Sequence, residues 1–166
     1  MIVVSDSGPL ISLMKAAKLD LLRELYGEVR IPEAVYAELT GNARYAEEAE
    51  LVRTCSFVQV VAVGERKAVD ILRRASGLDL GESEAIVYAD DMKADILLME
   101  EDAGRRIASA MGLRVRGSLG ILLLGYDKGI LSAQEVDDAL DRMKAAHRRI
   151  SEELYQYARN YVRRYK

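Results

Sequence analysis

Cysteine and histidine are nearly missing from this chain of 166 residues: Cys55 and His147 are each alone. A single cysteine excludes an intrachain disulfide and any structural zinc site built on thiolates. A single histidine near the far end of the chain excludes imidazole-rich metal sites and argues against a Ser-His-Asp triad. No apolar run approaches the roughly 18 residues of a membrane span, and the chain starts directly in a strand pattern without a charged leader. No membrane partner and a cytoplasmic location are therefore expected. Repeats, linkers and low-complexity stretches are also absent. What remains is a chain with half its residues apolar, the composition of a globular protein with a proper core. Any metal chemistry must then rest on oxygen ligands, which favour Mg²⁺ or Mn²⁺.

Charge is unevenly distributed. The net charge is −3. Residues 142–166 hold eight Lys or Arg against Glu152 and Glu153, a balance of 8 − 2 = +6 that leaves −9 for the rest. The basic tail suits contact with a polyanion, and a solvated helix face produces the same count.

Hydrophobic patterning alternates between strand and helix. Ile2 to Ser5 is a short β-branched run that ends at Asp6-Ser7-Gly8-Pro9, where Asp6 or Ser7 can cap a helix and Pro9 fits its first turn. Leu10 to Leu25 carries helical spacing, Glu28 to Ile31 reads as a second strand closed by Pro32, and a helix follows from Glu33 to Thr40. Phe57 to Val63 is the next strand, and a helix is expected from Glu65 to Ser76. Asp79-Leu80-Gly81-Glu82 has the form of a capping box opening another helix. Asp95 to Met99 reads as a buried strand and Leu113 to Arg116 as the last one. Helices over 119–128, 133–147 and 149–165 complete the chain. Strands separated by helices of this length imply right-handed crossovers and a three-layer α/β/α sandwich around a mostly parallel sheet of four to five strands, with C-terminal helices added. The expected division is a domain over 1–128 and a helical extension over 129–166, packed on the domain or on a partner subunit.

Four acidic blocks fall where such a fold would gather them. Asp6 follows the first strand, Glu38 lies in the helix after the second, Glu82 and Glu84 open a later helix, and Glu100, Glu101 and Asp102 follow the fourth strand. Functional groups of parallel sheets collect beyond the carboxyl ends of the strands. Carboxylates brought together from distant parts of a chain repel one another unless a cation lies between them. Asp6 is accordingly a candidate metal ligand, with helix capping as the competing role. Ser7 is a candidate to hydrogen-bond a ligand water. Glu82 and Glu84, two residues apart on a helix, cannot point the same way, so at most one is a principal ligand. The capping-box role suits Glu82, and Asp102 suits the N-cap of the helix that follows it.

At Val3-Val4-Ser5-Asp6-Ser7-Gly8-Pro9-Leu10-Ile11 the chain resembles the opening of PIN-domain nucleases. Ile31 to Leu39, Leu80 to Ile86 and Ala94 to Glu101 resemble the second, third and fourth acidic blocks of that family, in order, across residues 1 to about 125. The branch it most resembles is a compact prokaryotic one related to VapC toxins, in which "G-E-x-E-A-I" recurs. Glu100-Glu101 stands where Asp or Asn is commoner in the family, and the long basic C-terminal helix is not a family requirement.

The resemblance implies a metal-dependent endoribonuclease acting on single-stranded RNA, using one or two Mg²⁺ or Mn²⁺ ions, often as the toxin of a toxin–antitoxin pair. An antitoxin protein and a homodimer are the partners it suggests. Its catalytic carboxylates would be Asp6, Glu38, Glu84 and Glu101, with Glu82 and Glu100 as further ligand candidates. Glu84 is preferred to Glu82 because Glu-Ala-Ile matches an Asp-Ala-aliphatic block of related nucleases, and Glu101 is preferred by alignment. The chief competing reading is an adaptor or regulatory domain that keeps the scaffold without cutting. A Mg²⁺-dependent phosphoacceptor domain would want an acidic pair after the first strand, where this chain has Ser5-Asp6-Ser7.

In the tail, Ile150, Leu154, Tyr157, Tyr161 and Tyr165 recur at helical intervals as an apolar stripe. It reads as a docking stripe, or as an RNA-stacking surface with Arg148, Arg149, Tyr157, Arg159 and Arg163 as contacts.

Overall fold

The computed structural model describes residues 1–164. In chain order the elements are β1 (Val3–Ser5), α1 (Ser7–Lys15), α2 (Asp20–Tyr26), β2 (Val29–Pro32), α3 (Glu33–Gly41), a 3₁₀ turn (Ala43–Tyr45), α4 (Ala46–Thr54), β3 (Val58–Val61), α5 (Arg66–Ser76) and α6 (Leu80–Asp91). They continue with β4 (Ile96–Leu98), α7 (Asp102–Ala110), β5 (Val115–Arg116), α8 (Ser118–Asp127), α9 (Ala133–Ala145) and α10 (Glu152–Arg164).

All pairings in the sheet are parallel, in the order β3-β2-β1-β4-β5. The chain therefore builds outward from β1 to β3, returns to the other side of β1 as β4, and ends at β5. The direction of winding reverses between β1 and β4. Period-2 alternation sends neighbouring side chains to opposite faces of this sheet. Val3, Val29, Ile31, Ile96 and Leu98 join a core with α1, α2, α8, α9 and α10, whereas Val4, Leu97 and Met99 join a second core with α6 and Ala108 of α7. Two cores on either side of one sheet make the three-layer α/β/α sandwich that the alternation of elements predicts.

Three local expectations are corrected. The helical spacing from Leu10 to Leu25 is two helices, because Ala17 adopts a left-handed conformation (φ 56°) between α1 and α2. The expected helices over 133–147 and 149–165 stop and start elsewhere. His147 is left-handed (φ 56°), α9 ends at Ala145, and Ser151 opens α10 by accepting the Leu154 N–H on its hydroxyl. Finally, the α10 stripe is displaced. Tyr155, Ala158 and Val162 form its buried face, while Leu154 and Tyr157 are exposed. Tyr161 packs at the flank of the core beside Tyr126, and Tyr165 lies outside the described residues. Periodicity identified the helix, but the tyrosines and leucine at equivalent spacing gave the wrong angle of docking.

The C-terminal helices pack on the same core as β1. Val136, Leu140, Met143 and Val162 are fully buried there, each stabilising by about 1.5–3 kcal/mol relative to exposure.

Candidate functional site

The reversal of winding between β1 and β4 leaves a crevice beyond their carboxyl ends, the usual place for a ligand in a parallel α/β sheet. Asp6 follows β1 directly, and its backbone N–H donates to Leu98 O at the end of β4 (2.9 Å). The start of α1 is thereby tied to the neighbouring strand. Asp6 takes the N-cap position of α1 with extended backbone angles, yet its side chain makes no capping hydrogen bond. It is 6% exposed, and its Oδ1 has no hydrogen-bond partner among the described residues. Burial pushes the carboxyl up to about pKa 8, opposed by the Ser7 N–H and reinforced by the negative charges of Glu38, Asp79 and Glu82. The capping explanation for Asp6 therefore fails on geometry. A buried carboxyl oxygen without a hydrogen-bond partner is costly when ionised, and it marks Asp6 as a position whose charge depends on what meets it.

Glu38 approaches from α3 and lines an adjoining pocket with Ser7, Gly8 and Arg148, not the cleft that Asp6 lines. Half-burial raises its pKa, as do Asp79 and Glu82, and the Ser7 hydroxyl and Gly81 N–H counter that rise. A Cβ on Gly81 would lie 2.5 Å from Glu38 Oε1, so a larger residue there would make the Glu38 carboxylate move away from the first turn of α6. Glu82 lies on that turn. Its carboxylate accepts the Asp79 N–H (3.0 Å), the Asp79 carboxylate accepts the Glu82 N–H (2.8 Å), and the two close the capping box seen in the sequence. Both also line the cleft. Capping and facing the cleft are thus compatible for Glu82, whose pKa is raised by burial and by the charges of Asp79 and Glu101.

Glu84 is placed elsewhere. It is 4% exposed and points to the other side of α6, where it accepts from Arg66 Nη1 (2.6 Å) and from the Ala34 N–H at the start of α3 (3.0 Å). The structure brings Glu82, not Glu84, to Asp6, because two residues along a helix turn the side chain by about 200°.

The fourth block divides as well. Glu100 lines the cleft but its Oε1 accepts the Ser118 N–H at the start of α8 (2.8 Å), and its side chain packs against Gly8. Glu101 is the N-cap residue of α7 without a side-chain capping bond, and Asp102 is the first helical residue, one position later than the cap role expected for it. Both are exposed and line the cleft. Ser7 lines it too, whereas the Ser5 hydroxyl donates to Asp6 O.

The cleft, about 500 Å³, has a basic side that the sequence only half disclosed. Arg148 and Arg149, together with His147 and Arg44, line it from the α9–α10 connection and the 3₁₀ turn. Tyr157, Arg159 and Arg163 are not among its lining residues. Arg159 instead pairs with Asp137 and Asp141 of α9. Asp79, Arg44 and His147 were missed as cleft residues. The capping box marked Asp79 only as a cap, and nothing local marks the other two.

Among the described residues no three Asp, Glu, His or Cys side chains are gathered closely enough to share one ion. Closing Glu38, Glu82 or Glu101 onto Asp6 requires a change of rotamer in these long side chains. The donor chemistry fits a hard divalent cation: oxygen ligands only, one of them a buried carboxyl oxygen without a partner.

A family model described as a PIN domain matches residues 2–163. No curated protein and no solved structure matches the chain.

Proposed function

The chain belongs to the PIN-domain family, whose members are generally nucleases, and from that membership we propose that it is a Mg²⁺- or Mn²⁺-dependent endoribonuclease acting on single-stranded RNA. The observation that carries this reading is Asp6, a buried carboxyl without a partner at the β1–β4 switch point, surrounded by Glu38, Asp79 and Glu82. Asp6, Glu82 and Glu101 would hold the ion, with Glu38 and Glu100 flanking it. Glu84, bound to Arg66 and Ala34, is left out of this set.

When bound, the ion supplies a lowered pKa for attacking water and offsets charge developing on the leaving oxygen. The protein's share is positioning. The end of β1 fixes Asp6 through its N–H bond to β4, the capping box holds Glu82 at the start of α6, and Ser7 and Gly81 orient Glu38. The metal-dependent reading needs no protein nucleophile: it expects water to attack the phosphodiester and the 3′ oxygen to leave, so that the products carry a 5′-phosphate and a 3′-hydroxyl. The likeness of Gly81 to Ile86 to VapC-related chains supports a toxin role with a protein antitoxin. Exposed Leu154 and Tyr157 on α10 suit a homodimer.

An adaptor that binds without cutting is favoured by one observation, the separation of the carboxylates in the described arrangement. Both readings meet the same test, cleavage of a single-stranded RNA with Mg²⁺, with chelator, and by Asp6→Asn. The nuclease reading expects both treatments to lower the rate by about 10³-fold or more. Unaltered cleavage after both would remove the metal mechanism, and RNA binding without cleavage by the unaltered chain would establish the adaptor.

A further inference from the structure

We propose that the α9–α10 connection, residues 146–151, is a phosphate clamp built into the cleft, in which Arg148 is the tether and Arg149 engages a backbone phosphate of the single-stranded RNA. The proposal rests on the ribonuclease reading of this cleft and assigns its substrate-positioning side.

The connection is a built loop. Left-handed His147 ends α9, the His147 and Arg148 N–H groups donate to Lys144 O and Met143 O, and Ile150 N–H returns to Arg148 O. Ile150 packs against the main core. Across the cleft the Arg148 guanidinium donates to Ser12 Oγ (2.9 Å) and Gly8 O (3.3 Å), both on α1. Asp6 stands at the N-cap of that helix. The loop and the carboxylate floor are therefore fixed to a common element, and their separation is set by two hydrogen bonds rather than by a free linker.

Arg149 differs from its neighbour. It lines the same cleft, is exposed, and makes no ion pair among the described residues, although Asp6, Glu82 and Glu101 line the cleft with it. A guanidinium held near carboxylates but paired with none is available to an anion from solvent. It is needed there, because the floor repels a phosphodiester strand. An arginine offers a phosphate a bidentate, charge-assisted contact that offsets this repulsion next to the reacting bond. Arg44 adds a second cation on the same cleft, its guanidinium lying over the Tyr45 ring (5.8 Å).

The two arginines then have separable signatures. A residue that contacts phosphate sets part of the salt dependence of binding, and one that only holds a loop does not. Binding of a fluorescein-labelled single-stranded oligoribonucleotide is to be followed by anisotropy in Mg²⁺ over a range of salt, with the full chain carrying Asp6→Asn to prevent cleavage. Adding Arg149→Ala is expected to raise Kd about tenfold and to reduce the magnitude of the log Kd against log salt slope by about 0.7. Arg149→Lys should keep the slope, and its retention of charge guards against a folding artefact. Arg148→Ala should raise Kd with the slope unchanged.

An unaltered Kd and slope in Arg149→Ala would overturn the clamp, as would a slope change in Arg148→Ala instead, or no binding by the parent chain. Cleavage by the unsubstituted chain is read separately. If it cuts while Arg149→Ala binds normally, the clamp alone fails. If Arg149 controls binding but nothing is cut, the clamp stands and the nuclease reading fails.

Discussion

Asp6 and Glu84 are buried to nearly the same degree, 6% and 4% exposed, and differ in what meets them. Glu84, on the side of α6 that faces α3 and α5, has a cation on one oxygen and the Ala34 N–H on the other. Asp6, at the mouth between β1 and β4, has an oxygen that meets nothing and three acidic neighbours that raise its pKa. One carboxylate completes the packing of three helices. The other has an oxygen that no described residue satisfies. Burial and residue type alone do not separate them; satisfaction does.

The comparison is sharpened most by activity. Glu82→Gln keeps a residue able to close the capping box but removes the charge, and it is expected to lower metal-dependent cleavage about a hundredfold. Glu84→Gln should leave the rate within about threefold, since its side chain does not line the cleft. A reversal of these two, measured as kcat/KM on one RNA, would restore Glu84 to the site and break the contrast.

Stability is the next readout. Glu84→Ala leaves the Ala34 N–H and Arg66 without their acceptor, and a loss of about 2 kcal/mol in urea unfolding is expected. Arg66 is more than half exposed, which keeps its share of that figure small. Midpoints equal to the parent's would show that the pair contributes nothing.

Asp6→Asn should act in the opposite direction. The folded pKa of Asp6 is raised from 3.8 to about 8, so between these values the folded state holds a proton that the unfolded state has released. The stability this proton contributes is complete below the unfolded value and is lost as pH rises toward 8. Without metal, Asp6→Asn should therefore melt higher than the parent at pH 8. The gap should close as the pH is lowered toward about 4. Melting curves in chelator that show no gap at pH 8 would remove the strain assigned to Asp6.

Much of the framework was legible along the chain. Val3 and Val4 alternate between the two cores as strand periodicity requires, and Asp79-x-x-Glu82 marked the start of α6 because a capping box is a local device. The break at His147 was not legible. His147 is left-handed, a conformation that histidine adopts more often than most residues but that helical periodicity does not reveal. Nor was the choice between Glu82 and Glu84, since the motif matching that favoured Glu84 carries no information on which side of α6 meets the sheet. Arg148 stood among four arginine candidates until its bonds to Ser12 and Gly8, 136 and 140 residues away, distinguished it.

The order of strands and helices, the parallel sheet and the family were determined by the amino-acid sequence itself, because periodicity, caps and residue chemistry act over a few positions. Which carboxylates share a cleft, which one is satisfied as structure, and which arginine faces them were decided only by the tertiary fold. Those properties depend on contacts between segments up to 140 residues apart, and burial and pairing come into existence only when such segments meet.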